Sequence, residues 1–149
     1  MTDQSPMDLA LSLAEEAAAL GEAPVGAVIM EGTRILAAER NRMQSLRDPT
    51  AHAEMLAIRT ALASRGTGRL DGCDLYVTLE PCAMCAGAIA HTRLRRVYFA
   101  AEDTKAGAVE NGIRLFDQPT CHHHPEVIGG LSAGRAETML TEFFKKLRD

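Results

Sequence analysis

The apolar residues of this chain follow two spacings, and each spacing predicts one kind of element. Apolar positions recur at helical spacing from Met7 to Leu20 and stop at Gly21, which predicts an N-terminal helix. Two short apolar runs follow, at Val25 to Met30 and at Thr33 to Ala38. The Glu31-Gly32 pair between them is typical of a turn, so the two runs predict a β-hairpin.

Helical and strand patterns continue to alternate along the rest of the chain. The polar segment Asn41 to Pro49 predicts a loop that enters a helix over Thr50 to Ser64, with Asp48 or Thr50 as its cap and Pro49 in its first turn. The later predicted elements are strands over Leu75–Leu79, Arg96–Ala101 and Glu126–Ile128, helices over Cys82–Thr92 and Ala133–Leu147, and a loop-rich stretch over Asp103–Pro125.

This alternation is typical of a layered α/β fold. We expect one domain over residues 1–149, built as a three-layer α/β/α sandwich with helices on both faces of a sheet of roughly five strands. Because the opening hairpin is antiparallel, the sheet should be mixed.

Composition narrows the function classes without choosing one. The chain is 46% hydrophobic and 24% charged, as in ordinary globular proteins, and no apolar run approaches the roughly 20 residues of a membrane span. The polar start from Met1 to Asp8 has no secretory leader pattern, so we expect a cytoplasmic protein whose four cysteines are metal ligands or buried thiols. The net charge of −4 argues against a protein that coats nucleic acid broadly.

Two short motifs carry candidate chemistry. His52-Ala53-Glu54 supplies an imidazole and a carboxylate, and Pro81-Cys82-Ala83-Met84-Cys85 supplies two thiols. Zinc held by three protein ligands keeps a fourth position for water, which is the arrangement of a catalytic centre. The pattern H-x-E followed by P-C-x-x-C is the signature of zinc-dependent nucleobase deaminases. We therefore predict one zinc ion per chain on His52, Cys82 and Cys85.

The spacings make a geometric demand on the structure. Cys82 and Cys85 are three residues apart, so both sulfurs face one side of a helical turn, and a helix N-terminus there favours thiolates. His52 and Glu54 would diverge by about 200° on a regular helix. They can share one site only if the first turn is irregular or the metal lies off the end of the helix.

The predicted chemistry follows from charge. Two thiolates make zinc a weaker Lewis acid than three histidines would, so the attacking water needs a base, and Glu54 is the nearest candidate. We expect Glu54 to take the proton of that water and to deliver protons to the ring nitrogen and the leaving ammonia.

Other interpretations of the same residues remain open. A structural zinc site would need a fourth ligand, which His91, Cys73 or Cys121 could supply. A redox C-x-x-C centre would leave His52 and Glu54 without a role. The run Cys121-His122-His123-His124 could bind a second metal, although a polar surface loop is the more ordinary interpretation.

Nearly the whole chain, from about Met7 to Arg148, resembles the bacterial tRNA-specific adenosine deaminases. The matching stretches are Ala23–Val28, Asp48–Glu54, Leu75–Ala88, Asp103–Ala108 and the terminal Phe143-Phe144 pair with its basic neighbours. The resemblance implies a cytidine deaminase-like fold, a cytoplasmic homodimer, and conversion of the wobble adenosine of an arginine tRNA anticodon to inosine.

The same resemblance implies roles for individual residues. Asn41 would hydrogen-bond the flipped base or its ribose, and Val25 with the Ala53 backbone would line the pocket. Asp103 and Lys105 would contact the anticodon backbone, with Phe144 near that loop. A free-base or nucleoside deaminase acting on guanine, cytosine or adenosine would use the same zinc residues. A zinc-stabilised subunit that only binds RNA is the non-catalytic alternative, but it has no use for Glu54.

Overall fold

The computed structural model describes residues 4–148, and its elements follow one another as helices packed on a single sheet. In chain order they are α1 (Pro6–Ala19), β1 (Gly26–Glu31), β2 (Arg34–Arg40), α2 (Met43–Leu46), α3 (Ala53–Arg65), β3 (Cys73–Leu79), α4 (Ala83–Thr92), β4 (Arg96–Ala101), a 3-10 turn (Leu115–Asp117), β5 (Glu126–Gly129) and α5 (Ala133–Arg148).

The five strands form one mixed sheet in the order β2-β1-β3-β4-β5. Strand β1 is antiparallel to both of its neighbours, whereas β3, β4 and β5 are parallel. The β1–β2 hairpin has a register shift between Ile29 and Met30. The predicted mixed five-stranded α/β/α sandwich is confirmed.

Helices cover both faces of this sheet and bury two separate apolar layers. On one face α3 and α4 pack on side chains such as Ile29, Leu75 and Phe99. On the other face α1 and α5 pack on Val28 and the β4 residue Ala100. The N-termini of α3 and α4 therefore lie on the same side of the sheet, where they can share a site.

Packing on the α1 face is close enough to dictate sequence. A Cβ at Gly26 would overlap the backbone carbonyl of Ala10 on α1, so β1 can approach the helix only with glycine there. Farther along the same face, Tyr76 of β3 and Tyr98 of β4 are register partners. Their rings stack with centroids 4.4 Å apart and planes 2° from parallel.

The structure corrects two local predictions between Asn41 and Ser64. The segment predicted as a loop contains the short helix α2, which the polar sequence did not indicate. Helix α3 begins at Ala53 rather than Thr50, so neither Asp48 nor Thr50 caps it and Pro49 lies before its first turn. Instead, the Asp48 carboxylate accepts hydrogen bonds from the Thr50 backbone N–H at 2.8 Å and the Thr50 hydroxyl at 2.7 Å. This local turn keeps the chain extended up to His52.

Within residues 4–148, none of the helices is both long and apolar enough to cross a membrane.

Candidate active site

The three predicted metal ligands lie together at the ends of α3 and α4. His52 Nδ1 is 3.6 Å from Cys82 Sγ and 3.5 Å from Cys85 Sγ. All three donor atoms lie within 4.8 Å of one another, and no other such group of His, Cys, Asp or Glu occurs among the described residues. Cys85 is buried, whereas His52 and Cys82 are half-buried and border open space.

The three donor atoms are positioned by the N-terminal ends of α3 and α4. His52 and Cys82 are the N-cap residues of α3 and α4, each with extended backbone, and Cys85 lies within the first turn of α4. The backbone N–H groups at both helix starts direct their partial positive charge toward the site, which stabilises thiolate sulfur. Because His52 precedes α3, the 200° divergence from Glu54 does not arise, and both side chains face one space.

The donor set fits zinc in both chemistry and spacing. With a zinc–sulfur bond of about 2.3 Å and a zinc–nitrogen bond of about 2.05 Å, tetrahedral geometry separates sulfur from nitrogen by about 3.6 Å. The two His52–cysteine separations match that value. Three ligands leave one tetrahedral position for water or substrate.

The two cysteines differ in their tendency to lose a proton. Hydrogen bonding from Cys85 lowers the pKa of Cys82 to about 4, so Cys82 is a thiolate near neutral pH. The neighbouring Cys82 sulfur, together with burial, raises the pKa of Cys85. Hydrogen bonding to Cys82 in turn raises the pKa of His52. A zinc ion bound between the two sulfurs would take the place of the Cys85 proton and let both cysteines act as thiolates.

Glu54 is the buried acid–base candidate beside these ligands. It lies in the first turn of α3 and is 4% exposed. Burial raises its pKa to about 7, although the nearby His52 acts in the opposite direction. A carboxyl group with a pKa near neutrality can both accept and donate a proton at working pH.

A cavity of about 190 Å³ opens onto Glu54 and the metal ligands. It is lined by Ala23, Val25, Asn41, Met43, His52, Ala53, Glu54, Leu79, Glu80, Cys82, Asp103 and Ala106. This volume is smaller than the roughly 300–1,000 Å³ of most small-molecule pockets. It suits a single flat ring system, with anything attached to the ring remaining outside.

Asn41 and α2 form one wall of the cavity. The buried Asn41 side-chain oxygen accepts a hydrogen bond from the Met43 backbone N–H at 3.1 Å. The carboxylate of Glu22 accepts from the backbone N–H groups of Gln44 and Ser45 at 2.9 and 2.8 Å. Burial raises the pKa of Glu22, but these hydrogen bonds outweigh burial and hold it below its usual value.

The loop after β4 forms another wall of the cavity. Asp103 lines the cavity, and its side-chain oxygen accepts from the Lys105 and Ala106 backbone N–H groups at 3.0 and 2.9 Å. Lys105 is exposed and does not line the cavity. Phe144 is also outside the cavity, 50% exposed near the end of α5 and in edge-to-face contact with Phe143.

Several residues that line the cavity were not predicted from the sequence. Among them, Glu80 is polar and Met43 is flexible, so both could influence how a substrate is held. Glu80 is 2% exposed and directly precedes Pro81-Cys82. Burial raises its pKa, but hydrogen bonds from Asn111, Asp103 and Val109 outweigh burial and lower it. An acidic residue at the end of an apolar strand was the available signal. Met43 offered none, because its position depends on α2.

Most of the other side chains considered as metal ligands form hydrogen bonds away from the site. Cys73 contacts Arg65 and the Asp71 carbonyl, and the Cys121 thiol donates to the His123 carbonyl. The His123 ring donates to the Leu94 carbonyl at 2.6 Å, and the His124 ring donates to the Phe116 carbonyl. The histidine run thus fastens its loop to the backbone, and neither it nor His91 belongs to the metal-binding group found in residues 4–148.

Comparison with known proteins places this geometry among zinc deaminases. Residues 1–101 match the family model for the cytidine and deoxycytidylate deaminase zinc-binding region. The chain is 50% identical over 142 residues to the tRNA-specific adenosine deaminase of Agrobacterium fabrum, a match covering 95% of the chain and 93% of that protein.

The solved structures that resemble this chain include deaminases of the same kind of fold. A structure from work on A-to-I editing by tRNA:A34 deaminases at the wobble position has a TM-score of 0.89 and 50% identity, covering 91% of this chain and 98% of the other. Guanine deaminase from Bacillus subtilis has a TM-score of 0.66 and 35% identity, covering 100% of this chain and 96% of the other.

Proposed function

Because the chain belongs to the cytidine and deoxycytidylate deaminase family, among the tRNA-specific adenosine deaminases, we propose how its own residues carry out the reaction. The protein is a zinc-dependent hydrolase that converts adenosine to inosine at the wobble position of tRNA. The observation that carries the mechanism is the buried Glu54 facing a ring-sized cavity beside three zinc-spaced donors.

In the proposed mechanism, His52, Cys82 and Cys85 hold one zinc ion, and Glu54 moves the protons. The bound metal supplies Lewis acidity that makes water a better nucleophile. Glu54 accepts one proton from the attacking water and gives it to the purine ring nitrogen. It then takes the second proton from the hydroxyl now bonded to the ring carbon and gives it to the amino group, which leaves as ammonia while the carbonyl of inosine forms. One carboxyl can do both because burial raises its pKa to about 7.

The cavity walls would orient the base. The side-chain oxygen of Asn41 is occupied by the Met43 N–H, so its amide nitrogen is the group left to donate to the substrate. Val25 supplies an apolar wall. The backbone N–H of Ala53 lies in the first turn of α3, where helix N–H groups lack intrahelical acceptors. It is therefore free of the helix ladder and available to donate to the base.

The RNA around the base would be held outside the cavity. Seven of the described cations have ion-pair partners. Among those without one in residues 4–148, Arg42 and Lys105 are neighbours in sequence of the cavity-lining Asn41 and Ala106. We assign Asp103 and Lys105 to the anticodon backbone, with Phe144 near that loop. An unpaired anticodon loop makes extrusion of the base inexpensive. The arginine tRNA anticodon is the proposed natural substrate.

We further propose that the chain is a single deaminase domain working as a cytoplasmic homodimer. In support, a groove of about 350 Å³ beside α4 is lined by Gly87, Ala90 and Leu115 together with Ile113, which is 56% exposed. Sedimentation equilibrium should give twice the mass of one chain, and Ile113→Asp should halve it. A wild-type monomer would contradict the proposal.

The deciding experiment compares substrates on the zinc-loaded protein. An arginine-tRNA anticodon stem-loop with adenosine at the wobble position is tested beside free adenosine, cytidine, cytosine and guanine. Inosine formed only in the stem-loop is the expected result. If guanine is deaminated and the stem-loop is not, the zinc-site assignment stands but the proposed tRNA substrate is wrong.

A further inference from the structure

The carboxylate of Glu80 organises the loop that forms one wall of the substrate cavity. Its Oε1 accepts from the Asp103 N–H at 3.1 Å and from the Asn111 side-chain amide at 2.6 Å. Its Oε2 accepts from the backbone N–H groups of Val109, Glu110 and Asn111 at 3.1, 2.9 and 3.0 Å. Five donors around one buried carboxylate fix the loop at both its beginning and its end.

This loop is also docked directly against the zinc-binding segment. The Ala108 N–H donates to the Pro81 carbonyl at 2.9 Å, and Gly107 forms an isolated β-bridge with Cys82. A Cβ at Gly107 would lie 2.6 Å from Glu80 Oε2, so the close approach requires glycine. Glu80 therefore ties the segment that carries Cys82 to the loop that carries Asp103 and Lys105.

We propose that Glu80 is a positioning residue for the RNA substrate: it holds residues 103–111 in the shape that presents Asp103 and Lys105 to the anticodon. This inference rests on the proposed function. Glu80 touches none of the reacting atoms in this role, so its loss should weaken substrate binding while the chemical step at Glu54 continues. A carboxylate is required because all five partners are donors, and an amide would turn one acceptor into a donor.

The test is Glu80→Gln, with Glu110→Gln as the matched control because it makes the same change on an exposed side chain of the same loop. We expect E80Q to keep about one zinc per chain and a kcat within about threefold of wild type. Its KM for the stem-loop should rise by about tenfold, the effect of losing a charge-assisted hydrogen bond. E110Q should match wild type.

A double-mutant cycle separates positioning from general stability. Lys105→Ala should raise KM in the wild type but add little in the E80Q background, because the loop is then already displaced. A lower melting temperature with unchanged KM would overturn the proposal, as would loss of zinc or of kcat alone. If E80Q does not fold, Asn111→Ala removes a single one of the five bonds and is judged by the same measurements.

Hydrogen exchange keeps this test independent of the substrate assignment. The amides of residues 103–111 should exchange about tenfold faster in E80Q than in the wild type, with the sheet unchanged. Unchanged exchange in the loop would overturn the positioning role. A wild-type protein inactive on the stem-loop would contradict the proposed function instead, and the exchange comparison would still decide what Glu80 does.

Discussion

At the scale of single residues, three buried glutamates near the site differ in the direction of their pKa shifts. Glu22, Glu54 and Glu80 are all buried, but only Glu54 has a raised pKa. Backbone N–H donors surround Glu22 and Glu80 and stabilise their charged forms, whereas burial dominates at Glu54. Only Glu54 is therefore suited to exchange protons at neutral pH.

Replacing Glu54 by Ala should separate catalysis from metal binding. Because Glu54 is outside the group of three donors, E54A should retain about one zinc per chain while kcat falls by about 10² to 10⁴-fold. Metal analysis and stem-loop kinetics measure the two effects on one preparation. Zinc lost together with activity would show that Glu54 supports the metal instead.

Removing a sulfur ligand should abolish both zinc and activity. Cys82→Ser should lose its metal, and the melting temperature of the wild type, but not of C82S, should rise with added zinc. A ligand that binds only the folded state adds about 2.7 kcal/mol when its free concentration is 100 times Kd. Cys121→Ser is the control, since that thiol donates to the His123 carbonyl and is outside the group of three donors. Equal zinc content in C82S and wild type would reject the ligand assignment.

At the scale of elements, sequence predicted most of what the site needs. Helical periodicity located α1 and α5 because each packs one side against the sheet. The hairpin and β4 were located by their short apolar runs, since β1 and β4 are covered by helices on both faces of the sheet. The start of α3 was placed three residues early, because Asp48 and Thr50 bond to each other rather than to the helix. Helix α2 escaped prediction altogether, since its stability comes from Glu22, about twenty residues earlier in the chain.

The cap that Glu22 provides for α2 should be measurable as a pH-dependent stability. Glu22→Gln should destabilise the protein by about 1 to 3 kcal/mol near pH 7, since it weakens two hydrogen bonds to a charged acceptor. The folded pKa of Glu22 lies below its unfolded value, so the contribution is complete above about pH 4.5 and disappears as pH falls through the folded pKa.

Urea unfolding of the wild type and E22Q from pH 7 to pH 3 tests whether the stabilisation by Glu22 decreases as the pH falls. The curves of wild type and E22Q should converge at the acid end. Glu16→Gln is the control, because Glu16 is an exposed residue of α1 paired with Arg40 and such pairs contribute little. A gap between wild type and E22Q that widens toward pH 3 would contradict the cap.

At the scale of the molecule, charge distribution reconciles an acidic chain with an RNA substrate. The net charge is −4, but many of the arginines away from the cavity are neutralised, as in the Arg95–Asp74 and Arg96–Glu126 pairs. Arg42 and Lys105, which have no ion-pair partner within the part of the chain that the structure describes, lie next in sequence to the cavity-lining Asn41 and Ala106. These two cations are therefore available to attract phosphate beside the cavity that the base must enter.

This arrangement predicts a salt-dependent affinity with few contacts. The Kd for the stem-loop should rise with salt, and Arg42→Ala or Lys105→Ala should each reduce the log–log slope by about 0.7 to 0.9. Arg34→Ala is the control, since that cation starts β2, at the opposite end of the strand from Asn41. Equal slopes for all four proteins would argue against a phosphate-binding rim.

The stacked tyrosine pair gives the protein an optical probe at a single place. The chain has two tyrosines and no tryptophan, so Tyr76 and Tyr98 together account for its near-ultraviolet emission and most of its absorbance at 280 nm. The pair lies on the sheet face covered by α1 and α5, away from the zinc ligands at the starts of α3 and α4. A fluorescence change on melting therefore reports separation of β3 from β4, whereas zinc loss confined to the opposite face leaves the signal intact.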